Sequence, residues 1–231
     1  MMMAWYVFAL VDAIPAGRAG KGLSGTLSLR KLSAGFVVVE RRADVPPVEF
    51  GSLKKHQDVV ARLATQVPAI LPVRFGTLLE TGHLEEALAD RDEEIVEAFD
   101  LVRGRVQFTW RIARRRPGPA VALATARVGG KAGAVKRDRA ASGTEYLRQA
   151  ARAANPAPPP AFRALRTNLS RLIARQRYQP ATSTIREAVY HLVERKNVDR
   201  YVAASALLTR TSPQLAVSGP FPPFAFTPDI L

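Results

Sequence analysis

The stretch His56–Glu80, HQDVVARLATQVPAILPVRFGTLLE, constrains the fold more than any other part of the chain. Leu53, His56, Val59, Val60, Leu63 and Val67 recur at spacings of three and four, which places them on one helical stripe. Pro68 ends the pattern, because proline has no N–H and disfavours helical geometry in the residue before it. Ile70–Phe75 is then a short apolar run with one charge in it, Arg74, and Gly76 closes it. The run reads as a buried strand. A helix Ser52–Val67 with Ser52 as its N-cap, feeding a strand Ile70–Phe75, is a unit around which a small sheet can be built.

The residues before this unit supply more strands. Trp5–Val11, WYVFALV, is a near-continuous apolar run of strand length, and its β-branched and aromatic residues favour burial on both faces. No basic residue precedes the run and Asp12 follows it directly, so it reads as a strand and not as a signal peptide. Thr26–Arg30 and Phe36–Arg41 read as two further strands joined by a turn at Ser33–Gly35. The loop between, Pro15–Gly25, holds Gly17, Gly20, Lys21 and Gly22 but fails the phosphate-loop pattern. Pro15 stands where that pattern needs its first glycine, and Gly22 where it needs Ser or Thr.

After the central unit, the spacing predicts a helix over His83–Arg103, with Leu84, Leu88, Ile95, Phe99 and Val102 on its apolar stripe and Gly104 at C′. Its outer face carries most of a nine-carboxylate cluster between Glu80 and Asp100, opposed by Arg91 alone. In Arg105–Arg111, Val106, Phe108 and Trp110 alternate with polar residues, as in a half-buried strand. Ala120–Val128 fits a strand or a short helix, and Gly129–Ser142 is basic and glycine-rich. Helices are expected at Gly143–Ala154 and Ala161–Tyr178, with a proline hinge between them at Pro156–Pro160. A strand Ala188–Val193, a helix Val198–Leu208 and a last strand Gln214–Ser218 follow. The pattern is α+β: two small domains, each a mixed or antiparallel sheet with helices packed on it, the second open to a ferredoxin-like arrangement. The divisions read 1–103, 104–218 and a Pro/Phe-rich tail, 219–231, packed on the body.

Charge and composition narrow the chemistry. The net charge is +14, and with the acidic cluster set apart this asymmetry points to charged partners or to arginines on solvated faces. With no cysteine, the chain has no disulfides, thiolate metal sites or cysteine nucleophile, in keeping with a reducing cytoplasm. His56, His83 and His191 lie far apart; His56 sits on the apolar stripe and reads as a core histidine bonded to backbone. Arg74 reads as an arginine buried in a strand and paired with a carboxylate, Glu80 or an acid of the next helix, or else as one that faces a partner's carboxylate. Arg114–Arg116, Lys131, Lys136, Arg137 and Arg139 could neutralise phosphates, which makes a basic nucleic-acid-binding module the rival reading. No helix-turn-helix, zinc-finger or aromatic RNA-binding pattern accompanies them, so nucleic acid is a disfavoured partner. An enzyme acting on a small anion ranks third, for want of a local motif.

Several segments together resemble the gas vesicle accessory proteins of the F and L type. They are the apolar opening WYVFALV, LPVRFGT at Leu71–Thr77, VRGRVQFTWRI at Val102–Ile112, SGTEYLRQ at Ser142–Gln149, HLVERKNVDRY at His191–Tyr201 and GPFPPFAF at Gly219–Phe226. Phe221 and Phe224 stand where the family tends to have Trp and Tyr, and the basic stretch Arg114–Arg139 has no counterpart. The resemblance implies a two-domain α+β protein that binds the small hydrophobic shell protein and assists gas vesicle assembly, or is a minor shell component. It implies a cytoplasmic, vesicle-associated protein with other gas vesicle accessory proteins as partners, and no catalysis or cofactor; the residues themselves add that no apolar run approaches the roughly 18 needed to span a bilayer and that no metal-ligand set accompanies the scattered histidines. The residues it singles out for structure or partner binding are His56, Arg74, Phe75, Gly76, Phe221, Phe224 and Phe226.

Overall fold

In a computed structural model, residues 4–17, 20–112, 158–183 and 186–229 are described. β1 (Ala4–Val11) is buried along its whole length, because it has a strand on each side and helices above and below. β2 (Leu27–Leu32) and β3 (Gly35–Arg42) form a hairpin, and β3 pairs antiparallel with β1. On the other side, β4 (Ile70–Pro72) and β5 (Leu78–Glu80) pair with the two ends of β1. A register shift between Val7 and Ala9 changes the alternation of β1. Trp5, Val7 and Leu10 therefore face one core, while Tyr6, Phe8, Ala9 and Val11 face the other.

Each core has its helical cover. α1 (Phe50–Ala64) lays His56, Val59, Val60 and Leu63 on the Tyr6–Phe8 side. It starts two residues before Ser52, with Glu49 at the N-cap, and stops short of Val67; Leu53 is partly exposed. The opposite face is covered by α2 (Leu84–Leu88) and α3 (Asp92–Val102), where one helix was expected. Leu88 and Ile95 are two helical turns apart, so the apolar stripe runs on across the break. The break itself suits the charges: Asp92, Glu93 and Glu94 fall in the first turn of a new helix, at the positive end of its dipole.

Gly104 takes φ +65 after α3, and its N–H donates to Pro68 O at 2.8 Å, not to the carbonyls of α3. β6 (Arg105–Ile112) follows and lies in the middle of the second sheet, ordered β7-β8-β6-β9. The other members are β7 (Arg175–Gln179), β8 (Ala188–Glu194) and β9 (Leu215–Phe221), all antiparallel to their neighbours. With α4 (Pro160–Leu169) before β7 and α5 (Val198–Thr211) before β9, this is the ferredoxin-like strand order.

Three expectations are corrected here. The helix foreseen over Ala161–Tyr178 ends at Leu169, and β7 begins at Arg175. Past Ile173 no apolar stripe remains, and RQRYQ alternates, so the segment satisfies its backbone along β8. β6 is buried on both faces: Phe108 and Trp110 meet Phe162, Leu165, Leu169 and Tyr201, while Gln107 and Thr109 are buried on the other side. β9 runs on to Phe221, which an edge strand tolerates despite Pro220. The elements foreseen at Ala120–Val128, Gly129–Ser142 and Gly143–Ala154 lie outside the described residues.

The two sheets share apolar contacts. Leu192 of β8 and Phe226 belong to the same core cluster as Val7, Leu71, Phe99 and Val102, with Tyr190 packed against it. Arg195 donates to Ala64 O at 2.7 Å and to Val67 O at 3.3 Å, capping the end of α1 from the second sheet.

Candidate functional site

The motif Leu71–Thr77 leaves the first sheet as a turn. β4 stops at Pro72, and after Val73 N–H donates to Phe8 O at 2.9 Å the chain turns away. Gly76 has φ +93, a conformation that side chains rarely adopt, and Thr77 N–H returns to Arg74 O at 3.4 Å. A buried relay clamps this turn. Gly76 N–H donates to the Tyr6 hydroxyl at 3.2 Å, that hydroxyl lies 2.9 Å from His56 Nδ1, and His56 Nε2 lies 3.1 Å from Val73 O. A carbonyl only accepts, so Nε2 carries the proton and Tyr6 donates to Nδ1. Phe8 stacks on His56 with ring centroids 5.3 Å apart, and Phe75 meets the histidine edge-on. Burial pushes the imidazole down to about 4, so it is neutral at physiological pH.

Arg74 is not the buried, paired arginine expected from an extended strand. The turn begins before it, and its side chain is 79% exposed, with Asp229 Oδ2 at 3.5 Å as its partner. Neither Glu80 nor an acid of α2 or α3 is involved. Phe75 and Gly76 belong to the clamp, Phe75 through ring contacts with Tyr6 and His56.

Asp229 belongs to the C-terminal segment, which crosses from β9 towards the first sheet. Only one of its three rings is inserted: Phe226 is 7% exposed, against 42% for Phe221 and 36% for Phe224. Phe221 points outward from an edge strand and Phe224 lies on a rim, so the Phe-rich segment inserts into the core through Phe226. Polar side chains fix the backbone here. Ala225 N–H donates to Gln107 Oε1 at 2.7 Å, and Arg177 Nη1 donates to Ala225 O at 2.7 Å.

These pieces enclose a groove of about 1150 Å³ between the two sheets. Its floor includes Leu10, Pro72 and Val73, and Arg74 stands at one wall. Gln176, Arg177, Tyr178 and Gln179 of β7 make the opposite wall, with Tyr190 and Gln107 between and Phe224–Asp229 at the rim. Sequence reasoning pointed to Arg74 and Phe224 but missed the β7 wall, where the alternation of RQRYQ was the available signal.

A second relay lies behind that wall. Trp110 Nε1 donates to the Tyr201 hydroxyl at 2.6 Å, which lies 2.7 Å from His191 Nδ1; His191 Nε2 lies 3.2 Å from Gln176 Oε1. Burial holds His191 at about 4 and pushes the Tyr201 phenol above its usual range. Both buried histidines therefore act as neutral connectors, whereas His83 is exposed beside Glu80. The glycine-rich loop has an internal occupant as well: Leu23, Ser24 and Gly25 N–H donate to the buried Glu40 carboxylate at 2.6, 3.0 and 2.7 Å. Among the described residues, no cluster of His, Cys, Asp and Glu could hold a metal ion, and no helix is long and apolar enough to cross a membrane.

Comparison with known proteins agrees with the resemblance read from the motifs. The crystal structure of gas vesicle protein GvpF from an Anabaena species superposes with a TM-score of 0.69 at 10% identity, covering 98% of this chain and 96% of that one. GvpF from Microcystis aeruginosa gives a TM-score of 0.67 at 12% identity, covering 97% and 99%. At such identities the likeness establishes the fold. No curated protein sequence matches. The family model described as gas vesicle synthesis protein GvpL/GvpF matches residues 4–228, and the chain belongs to that family.

Proposed function

We propose that this protein binds the small hydrophobic shell protein of gas vesicles and assists assembly of the shell, as a chaperone-like accessory or as a minor shell component. The observation that carries the reading is the family match over residues 4–228. The protein works by binding, without catalysis or a cofactor, in the cytoplasm and in contact with vesicles and their other accessory proteins. We read 1–103 and 104–218 as its two domains and 219–231 as a tail on the body. Separate helical covers for the two sheets support that division.

An exposed apolar strip supports a hydrophobic partner. Val48 and Phe50 are each 81% exposed, with Val45 and Leu53 partly so, just before and within the start of α1. Arg74, Phe75 and Gly76 form the neighbouring turn, since Val45 lies against Gly76. Solvated apolar side chains grouped in this way mark interaction sites. Co-expression with the shell protein tests the reading. The protein is expected to retain the shell protein through purification, and a Val48→Ser, Phe50→Ser variant to retain much less. Equal retention by an unrelated basic protein of similar charge would overturn it.

A further inference from the structure

The groove between the sheets is built to hold a polypeptide backbone. Its rim already does so: Gln107 accepts from the N–H of Ala225 and Arg177 donates to the carbonyl of the same residue. The N–H and the C=O of one residue, from two successive peptide units, are thus both held by side chains of the second sheet. Farther along the groove the lining repeats this chemistry. Gln179 is an amide that can both donate and accept, with the Tyr190 hydroxyl 2.5 Å from its Oε1, and Gln176, whose Oε1 meets His191, keeps its amide N–H groups as donors.

The wall carrying Gln176 and Gln179 is a strand edge. β7 ends its sheet and pairs with β8 alone among the described strands, and four consecutive residues of this edge strand, Gln176, Arg177, Tyr178 and Gln179, line the groove. An edge of this kind is a template for one more strand. The charges select the occupant. Among the described residues, the charged ones lining the groove are Arg74 and Arg177, from opposite walls, and Asp229 of the chain's own tail. Asp229 meets Arg74 at 3.5 Å while both side chains remain mostly exposed, a pair that a competing carboxylate can replace.

We propose that the groove is a peptide-binding site that takes an extended acidic segment of a partner protein. The segment adds a strand to β7, and its carboxylates lie on Arg74 and Arg177. The proposal goes beyond the function above, because it holds whether or not the shell protein supplies the segment.

The test uses synthetic probes on the full chain, read by fluorescence polarisation. Three labelled peptides are compared: alternating valine and glutamate, alternating valine and lysine, and the glutamate peptide with N-methylated backbone amides. The glutamate peptide is expected to bind and the lysine peptide not to. N-methylation keeps the charge but removes the donors that a strand edge needs, so that peptide is expected to bind at least about tenfold more weakly. An Arg74→Glu, Arg177→Glu variant is expected to lose about tenfold or more in affinity for the glutamate peptide. A variant with the same charge change far from the groove, Arg163→Glu, Arg200→Glu, is expected to keep it. Equal binding of the methylated and unmethylated peptides would overturn the strand pairing, whatever the variants do. Equal loss in both double variants would reduce the effect to net charge and overturn the site.

Discussion

Mild acid should unfold this protein through its two buried histidines. His56 and His191 are enclosed, and burial holds each near 4 against an ordinary value of 6.5. A histidine whose folded value is depressed contributes its full stability above the unfolded value. That stability is lost as pH falls from 6.5 towards 4, because the unfolded chain takes up the protons first. Between these values each imidazole withdraws roughly 2 kcal/mol by pH 5 and about 3 kcal/mol by pH 4. Two such groups remove about 4 kcal/mol at pH 5, a large share of the roughly 5–15 kcal/mol that holds a typical domain together. Glu94 and Glu194 are held below their ordinary 4.5 by Arg91 and Lys196. Their contributions fade around and below that value, at lower pH than the histidine contributions, which begin to fall near 6.5. Urea unfolding at half-unit steps of pH measures the slope. His191→Gln is expected to halve it, and adding His56→Gln to flatten it. A wild-type stability that does not change between pH 6.5 and 5 would refute the buried, neutral assignment, as would a slope untouched in the double variant.

Two further expectations concern the residues singled out from the motifs. Phe226→Ala should cost roughly 3–5 kcal/mol, since it empties a filled position in the core joining the sheets. Phe221→Ala and Phe224→Ala, at partly exposed sites, should each cost less than about 1 kcal/mol; similar costs for all three in thermal unfolding would contradict the observed burial. Arg74→Ala should change stability by less than about 1 kcal/mol, because its partner at 3.5 Å is an exposed carboxylate. A drop in unfolding midpoint matching that of Phe226→Ala would restore a structural role to this arginine.

Local chemistry in the chain determined much of this fold. The apolar run of β1, the helical stripe of α1, the alternation of β6 and the proline-broken C-terminal segment are each written within a few neighbouring residues. Their periodicities therefore survive reading without a partner surface. His56 was legible as a core histidine for the same reason: it shares a stripe with Val59, Val60 and Leu63. The motifs between Trp5 and Phe226 carried the family resemblance, and the match over residues 4–228 bears it out.

Tertiary structure decided what depends on distant residues. The split of α2 from α3 leaves the apolar stripe intact, so periodicity alone could not reveal it. The change from helix to strand at β7 depends on the free edge of β8, which offers five residues a ladder that local propensity does not describe. Arg74 was misplaced because a charge in an apolar run signals burial only if the strand continues. Whether it continues was settled by Tyr6, seventy residues before Gly76, whose hydroxyl accepts that glycine's N–H and helps hold the turn. The groove is the extreme case: its walls come from β4, β6, β7, β8 and the C-terminal segment, and no local window of sequence contains two of its arginines. Its Gln107 and Arg177 meet on the backbone of one residue, Ala225, only because two sheets pack through Leu192 and Phe226, a long-range burial that local spacing does not encode.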